Sequence, residues 1–267
     1  MGKERALDTK ESVKVVTSNS FITALELSKM SLKARKLLYV AIAQCKKNDE
    51  EFYEYKITIP EFAKLMKIQE AHVYQESFDI TKELSKSEIT YLPKGRKKYK
   101  HVPLMALCDY DESCLKIELN PRMTELLLKL KGDFTQALLT DFMTMRSPYS
   151  MAIWHLMQRE MRGKKPGVTK SIDFYLSLEE LRVVTGSENK FKKLSHFKDK
   201  ILDKALLEIQ ESCGTVITYK NRKQGRTVVG FEFSAINEFG VALNKSSEDT
   251  IRRLEKKCDD LQKSFRE

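Results

Sequence analysis

The stretch from Phe174 to Phe233 limits what this chain can fold into more than any other part of it. It opens on a short apolar segment, Phe174-Tyr175-Leu176. Ser177-Leu178-Glu179-Glu180-Leu181 follows, with a serine placed to cap a short helix that has acids in its first turn. Gly186 marks a turn. A long amphipathic stretch then runs from Asn189 to Ile209. After it, two β-type runs, Val216-Ile217-Thr218-Tyr219 and Thr227-Val228-Val229-Gly230-Phe231, flank the basic turn Lys220 to Arg226. Helix, turn, helix and two-stranded hairpin is the order of a winged helix-turn-helix, a module that reads DNA.

The second helix supports that order. At about 100° per residue, Leu194, Phe197, Ile201, Ala205 and Ile209 fall on one face, the stripe a helix needs for packing on a core. Lys192, Lys193, His196, Asp199, Lys200 and Asp203 collect opposite. A solvated face would account for that charge alone. It does not account for Lys190, Lys192 and Lys193 at the helix start, where the macrodipole disfavours cations. A phosphate backbone nearby would offset that cost. Residues 190–226 hold ten Lys/Arg against four Asp/Glu, a net +6 on one helix and its hairpin.

A chain of 267 residues is better divided into two domains than packed as one. Its net charge of +10 points to an acidic partner, nucleic acid before membrane, because no apolar run approaches the length of a spanning helix. The first residues lack the apolar core of a signal peptide, and Ala6 stands where myristoylation would want Ser or Thr, so a cytoplasmic location is expected. Five cysteines without CxxC spacing and four scattered histidines argue for reduced thiols and no zinc site; no cofactor is expected.

The expected fold class is α+β, with two tandem winged helix-turn-helix domains and a C-terminal helix. Residues 1–15 are taken as a flexible arm. The first domain, 16–121, repeats the order of the second: Ser31 caps a helix, Tyr55 to Ile59 is strand-like, and Ile59-Pro60-Glu61-Phe62 answers Leu178-Glu179-Glu180-Leu181. Ile89-Thr90-Tyr91 answers Ile217-Thr218-Tyr219, and Val102–Tyr110 with Cys114–Leu119 makes a hairpin. Residues 122–147 supply a joining helix (Met123 to Leu130) and linker. The second domain, 148–240, starts where Ser147-Pro148 opens a helix with Met151, Trp154, His155 and Met157 along it. A tail, 241–267, carries Ile251, Leu254, Cys258, Leu261 and Phe265 at heptad spacing, which suits docking back on the body better than self-association.

Leu130-Lys131-Gly132-Asp133-Phe134-Thr135-Gln136, then Ser147-Pro148-Tyr149-Ser150, resembles the inter-domain signature of the iteron-binding plasmid replication initiators. Phe191, Phe197-Lys198, Ala205, Glu208-Ile209 and the wing Lys223-Gln224-Gly225-Arg226 resemble the same family, over about Ser18 to Ile236. The resemblance implies binding as monomers to direct repeats (iterons) at a plasmid origin, opening of an adjacent AT-rich segment, and recruitment of host initiator and helicase. It also implies dimers, held by the first domain, that repress their own promoter at an operator inverted repeat. In the family the helix matching Lys193 to Lys200 reads the major groove. Here lysines and His196 stand where arginine is frequent, and Asp199 replaces a basic residue, with local pairing to a lysine as its expected role.

On that basis Lys193, His196 and Lys200 are assigned to base edges. Lys192, Lys198, Arg222, Lys223 and Arg226 are assigned to phosphates that set register. In the first domain Lys94, Arg96, Lys97, Lys98 and Lys100 are assigned to neighbouring backbone, with weaker claims for the helix around His72 and Gln75. No enzymatic activity is expected. A rolling-circle nickase needs a histidine pair, yet His72, His101, His155 and His196 are never two apart; no GxxxxGK[ST] loop occurs. A winged-helix transcriptional repressor without initiator activity is the main alternative.

Overall fold

A computed structural model of the chain describes residues 4–5, 7–8, 10, 12–66, 68–91, 99–111, 114–128, 130, 132–167 and 170–237. The expected tail, 241–267, and the lysine-rich loop holding Lys94, Arg96, Lys97 and Lys98 lie outside them.

The first unit begins with β1 (Glu4–Arg5), β2 (Lys14–Ser18), α1 (Asn19–Ile22) and α2 (Leu32–Ala43). Ser31 caps α2, its hydroxyl accepting from the Ala34 amide at 3.2 Å. Next come β3 (Glu54–Thr58), α3 (Ile59–Met66), α4 (Glu70–Lys86), β4 (Glu88–Tyr91), β5 (Lys100–Pro103), β6 (Met105–Asp111) and β7 (Cys114–Leu119). A connection of α5 (Thr124–Leu127), β8 (Phe134–Leu138) and α6 (Leu139–Thr144) leads to α7 (Pro148–Glu160). The second unit continues with β9 (Ile172–Ser177), α8 (Leu178–Thr185), α9 (Leu194–Phe197), one π turn (Lys198–Leu202), α10 (Asp203–Cys213), β10 (Thr215–Gln224) and β11 (Thr227–Asn237).

The two units are the same construction. In the second, β9 pairs antiparallel with β11, and β11 with β10. In the first, β3 pairs with β7, and β7 with β6. Each sheet is preceded by a serine-capped helix, α2 or α7, and each first strand runs directly into a short helix. The same local chemistry makes that corner twice. The Glu180 amide donates to Ser177 Oγ at 3.1 Å, while the Ser177 amide donates to Glu180 Oε2 at 3.3 Å. At the first corner the Glu61 amide donates to Thr58 Oγ1 at 3.3 Å and the Thr58 amide to Glu61 Oε2 at 2.9 Å. A capping box of this kind satisfies amides that a helix start otherwise leaves unpaired.

Topology changes one expected correspondence. The partner of β10 in the first unit is β6, not the strand holding Ile89-Thr90-Tyr91. That strand, β4, pairs with β5 in a separate hairpin inserted before the wing. The strand expected from Val102 to Tyr110 is therefore two strands, broken at Pro103-Leu104. There the Leu104 amide donates to Ser87 O and its carbonyl accepts from Asn120. Proline has no amide for a ladder, so a break here is economical.

Three further expectations differ. Residues 1–15 are not free of structure where described: Glu4–Arg5 adds a parallel strand to β3, Lys14–Val15 pairs with β8, and Arg5 forms a two-pronged pair with Asp49 at 2.6 and 2.8 Å. The joining helix expected over Met123–Leu130 covers only Thr124–Leu127. Within 122–147, β8 turns back to pair with β2, so this segment is sheet and helix against the first unit rather than linker.

One apolar core runs through both units, with Trp154 and His155 of α7 near its centre. The Trp154 indole donates to Asp141 of α6 at 3.3 Å. His155 Nε2 lies 3.1 Å from Thr17 Oγ1 of β2, and Nδ1 lies 2.8 Å from Tyr39 Oη of α2. Two cations on α2 reach the carbonyls that bracket the entry to α7: Lys36 donates to Met143 O at 2.8 Å and Arg35 to Pro148 O at 3.2 Å. Burial lowers the Lys36 ammonium to about 8 and the His155 imidazole to about 3, so the ring is neutral, with one nitrogen donating and one accepting.

That neutral histidine carries a pH prediction. An unfolded histidine titrates near 6.5. Between there and the folded value of about 3 the unfolded chain binds the extra proton, so stability falls as pH drops through this window. His155 alone is expected to cost about 1.4 kcal/mol between pH 7.5 and 5.5. Urea unfolding of the wild type and of His155→Gln at both pH values measures the difference; parallel losses in the two proteins would refute it.

Candidate nucleic-acid interface

The helix of the second unit to which base reading was assigned starts later than its periodicity suggests. Residues 187–193 form an open turn, and the helix begins at Leu194, with Lys193 at its N-cap making no side-chain cap. Phe191 sits in the left-handed region at φ 51°, which stops any continuation of the helix back toward Asn189. Lys190 and Lys192 thus lie ahead of the helix and Lys193 at its N-cap, next to the positive end of the dipole, all three exposed.

The buried stripe is as the spacing requires. Phe197, Ile201, Ala205 and Ile209 are buried and Leu194 is half-buried. The π turn over Lys198–Leu202 adds Leu202 and Leu206 to that face. Such turns inside helices are frequent at functional sites, because the extra residue re-aims the side chains before it.

The wing stands beside this helix. Arg222, Lys223, Gln224, Gly225 and Arg226 are all exposed at the tip of β10 and β11, where Gly225 takes φ 61° and the register shifts between Arg222 and Lys223. Helix and wing are tied together at their base. Tyr219 Oη donates to Asp203 Oδ1 at 2.6 Å, and Lys198 Nζ lies 4.9 Å above the Tyr219 ring and 3.4 Å from Asn221 Oδ1.

The assigned residues divide by what already holds them. Lys192, Lys193 and His196 are exposed on the turn and first helical turn. Lys223 and Arg226 are exposed at the wing tip. Lys200 pairs with Asp199 at 2.9 Å, which holds the Asp199 carboxyl below its ordinary range, so Asp199 has the local role expected of it. Arg222 reaches across the hairpin to Glu232 at 2.6 Å. Lys198 is directed into the aromatic base of the wing rather than outward. In the first unit Lys100 is paired with Glu125 at 3.0 Å and lies over Tyr91. The side chain of Gln75 lies outside the described residues, whereas His72 is exposed on α4.

That helix, α4, occupies the position of the reading helix in its own unit, but it carries Glu70, Glu76, Asp79 and Glu83 against Lys82 and Lys86. It also exposes Phe78. An acidic helix is repelled by phosphate, so among the described residues α4 lacks the cationic approach that the corresponding helix of the second unit has.

Models of the initiator replication protein match the chain in two pieces, the WH1 model over residues 14–158 and the WH2 model over 177–235. The first match alone spans more than half of the chain. The chain belongs to the initiator replication protein family. The solved structure of Pi initiator protein in complex with iteron DNA is 21% identical, covers 86% of this chain and 99% of its own, and superposes with a TM-score of 0.73. That likeness bears out the tandem winged-helix fold. Domains 2 and 3 of RctB, 12% identical with a TM-score of 0.42 over 87% of this chain and 95% of their own, are too distant to carry an argument. Among the described residues no group of three His, Cys, Asp or Glu could hold a metal, and no helix is long and apolar enough to cross a membrane.

Two residues of this surface had no assignment from sequence. Lys190 is exposed beside Lys192 and belonged to the same charge run. Arg182, on α8, donates to four carbonyls of the turn. Backbone carbonyls have no sequence signature, so nothing in the chain signalled that contact.

Occupancy separates the phosphate candidates. Lys223→Ala and Arg226→Ala are each expected to flatten the slope of log affinity against log salt by about one, measured on short duplexes. Lys198→Ala should leave that slope unchanged and instead lower folding stability by about 0.5–1 kcal/mol, the scale of a cation on an aromatic face near the surface. A slope change for Lys198 equal to that of Lys223 would reverse the assignment.

Proposed function

We propose that this protein is a plasmid replication initiator whose second winged-helix domain binds direct repeats at its own origin. The observation that carries the reading is the exposed cationic surface on the turn, reading helix and wing of that domain, in a chain of the initiator replication protein family. Pi initiator protein, which shares the fold, is solved on iteron DNA. Lys193, His196 and Lys200 face base edges in the major groove, and Lys192, Lys223 and Arg226 hold phosphates on either side. Lysine offers a single point charge where arginine would offer a planar fork, so each base contact is the weaker kind. Lys200 must leave Asp199, or bring it along, to reach a base.

In the same reading the bound protein opens an adjacent AT-rich segment and recruits host initiator and helicase, catalysing no bond change itself. A dimer of the chain represses its own promoter at an inverted repeat. All of this takes place in the cytoplasm.

The test is fluorescence anisotropy across salt on two duplexes, one carrying a direct repeat from the protein's own replicon and one the same bases scrambled. A preference of about a hundredfold or more is expected, within the range usual for specific binders. Equal affinities with a steep salt slope would reduce the protein to a non-specific cation. Lys193→Ala and Lys200→Ala should narrow the preference by weakening the repeat more than the scrambled duplex. Permanganate reactivity of thymines beside the repeats separates an initiator from a plain repressor, which would bind without unpairing them.

A further inference from the structure

Arg182 has an unusual set of partners for a residue of the first helix in a helix-turn-helix. Its Nη1 donates to Ser187 O at 3.0 Å and Lys190 O at 3.1 Å, and its Nη2 to Phe191 O at 3.1 Å and Lys192 O at 3.4 Å. The guanidinium carbon also lies 4.9 Å from the ring centroid of Phe197, a fully buried residue of the reading helix. One side chain therefore touches the start of the turn, its end and the helix beyond it.

The helix that carries Arg182 is itself fixed. Its first turn holds the Ser177–Glu180 capping box, and Glu180 pairs with Arg159 of α7 at 2.7 Å. Its end is Gly186 at φ 59°, where a Cβ would come within 2.8 Å of Ser28 Oγ of the first unit. The donor thus stands on a rigid base. Ser187 holds the start of the turn as well, its amide donating to Arg182 O at 2.9 Å and its hydroxyl lying 2.8 Å from Thr185 Oγ1, and the Lys190 amide donates to Ser187 O at 3.1 Å. Arg182 extends that hold to the carbonyls of Phe191 and Lys192. That turn includes Phe191 at φ 51°, a conformation that residues with a side chain seldom adopt. Drawing the carbonyls of Lys190, Phe191 and Lys192 inward leaves the Lys190, Lys192 and Lys193 side chains exposed on the outside.

We propose that Arg182 is a positioning residue for DNA recognition: it sets the turn, before DNA arrives, in the shape that presents Lys190, Lys192 and Lys193 and phases the reading helix. The inference rests on the base-reading role proposed above for the second domain. A turn ordered in advance does not draw its ordering entropy from the binding energy. The planar fork is required, because an ammonium is a compact point donor that cannot span four carbonyls along one edge.

Arg182→Lys tests this, because it keeps the charge and removes the fork. Affinity for the direct-repeat duplex is expected to fall about tenfold, the scale of one lost oriented contact set. Affinity for the scrambled duplex stays within about twofold, since the lysines that attract phosphate are all still present. A role confined to fold stability would move both affinities together or neither, and either result overturns the proposal. Wild-type protein that fails to prefer the repeat would instead sink the base-reading role. A second measurement needs no variant. In the free wild-type protein the Nη protons of Arg182 should give separate NMR signals, held by four carbonyls, and one averaged signal would overturn the clamp even if Arg182→Lys does not fold.

Discussion

Both nitrogens of the buried His155 imidazole are taken, one by Thr17 of β2 and one by Tyr39 of the first unit's serine-capped helix. Around that ring, Phe142 and Tyr39 pack edge-on with centroids 5.3 and 5.4 Å away, and Lys36 and Arg35 close the seam by donating to carbonyls at either end of the α6–α7 corner. Buried polar groups are costly unless satisfied, and the carbonyl at a helix C-terminus is a favourable place for a cation. The joint between the two winged helices is thus a neutral histidine and two cations bound to backbone, set within apolar packing. Without it the units would be two small domains on a tether. With it, α7 is at once the first helix of the second unit and a wall of the first.

The position of the exposed lysine surface of the second unit follows from that joint. Helix α7 holds α8 through Arg159 and Glu180, α8 holds the turn through Arg182, and the turn sets where Leu194 begins the next helix. The wing is fixed from the far side by Tyr219 on Asp203 and by Lys198 over Tyr219 and Phe231. A chain of short-range contacts, each a hydrogen bond or a cation on a ring, thereby carries orientation from the core to the exposed lysines. Precision at a groove edge needs such backing, because a side chain displaced by about an ångström loses its hydrogen bond.

The units share a construction but not a surface. The capping boxes of Thr58–Glu61 and Ser177–Glu180, the serine-capped helices and three antiparallel strands of each sheet coincide, the first sheet carrying β1 in addition. Yet α4, the helix after the turn in the first unit, is acidic, whereas its counterpart in the second unit, starting at Leu194, is preceded by three lysines. Burial fixes the inward faces in both copies, whereas the outward faces were free to diverge in charge.

The sequence by itself determined what is local or periodic. The order of helix, turn, helix and hairpin, the serine caps, the buried stripe from Phe197 to Ile209 and the concentration of charge over residues 190–226 all follow from spacing and residue type. Tertiary structure decided whatever depends on a distant partner. It moved the helix start from Asn189 to Leu194, since guanidinium–carbonyl contacts and one left-handed residue do not show in periodicity. It drew β8 back to β2 across more than a hundred residues of chain, and it put Ile89-Thr90-Tyr91, matched by pattern to the wing strand Ile217-Thr218-Tyr219, into a separate β4–β5 hairpin ahead of the β6–β7 pair. It also chose among the cations, sending Lys198 inward, binding Lys100, Lys200 and Arg222 to acids, and leaving Lys192, Lys193, Lys223 and Arg226 exposed. A lysine has the same charge wherever it stands in a sequence; which surface it reaches is settled only when the fold places its neighbours.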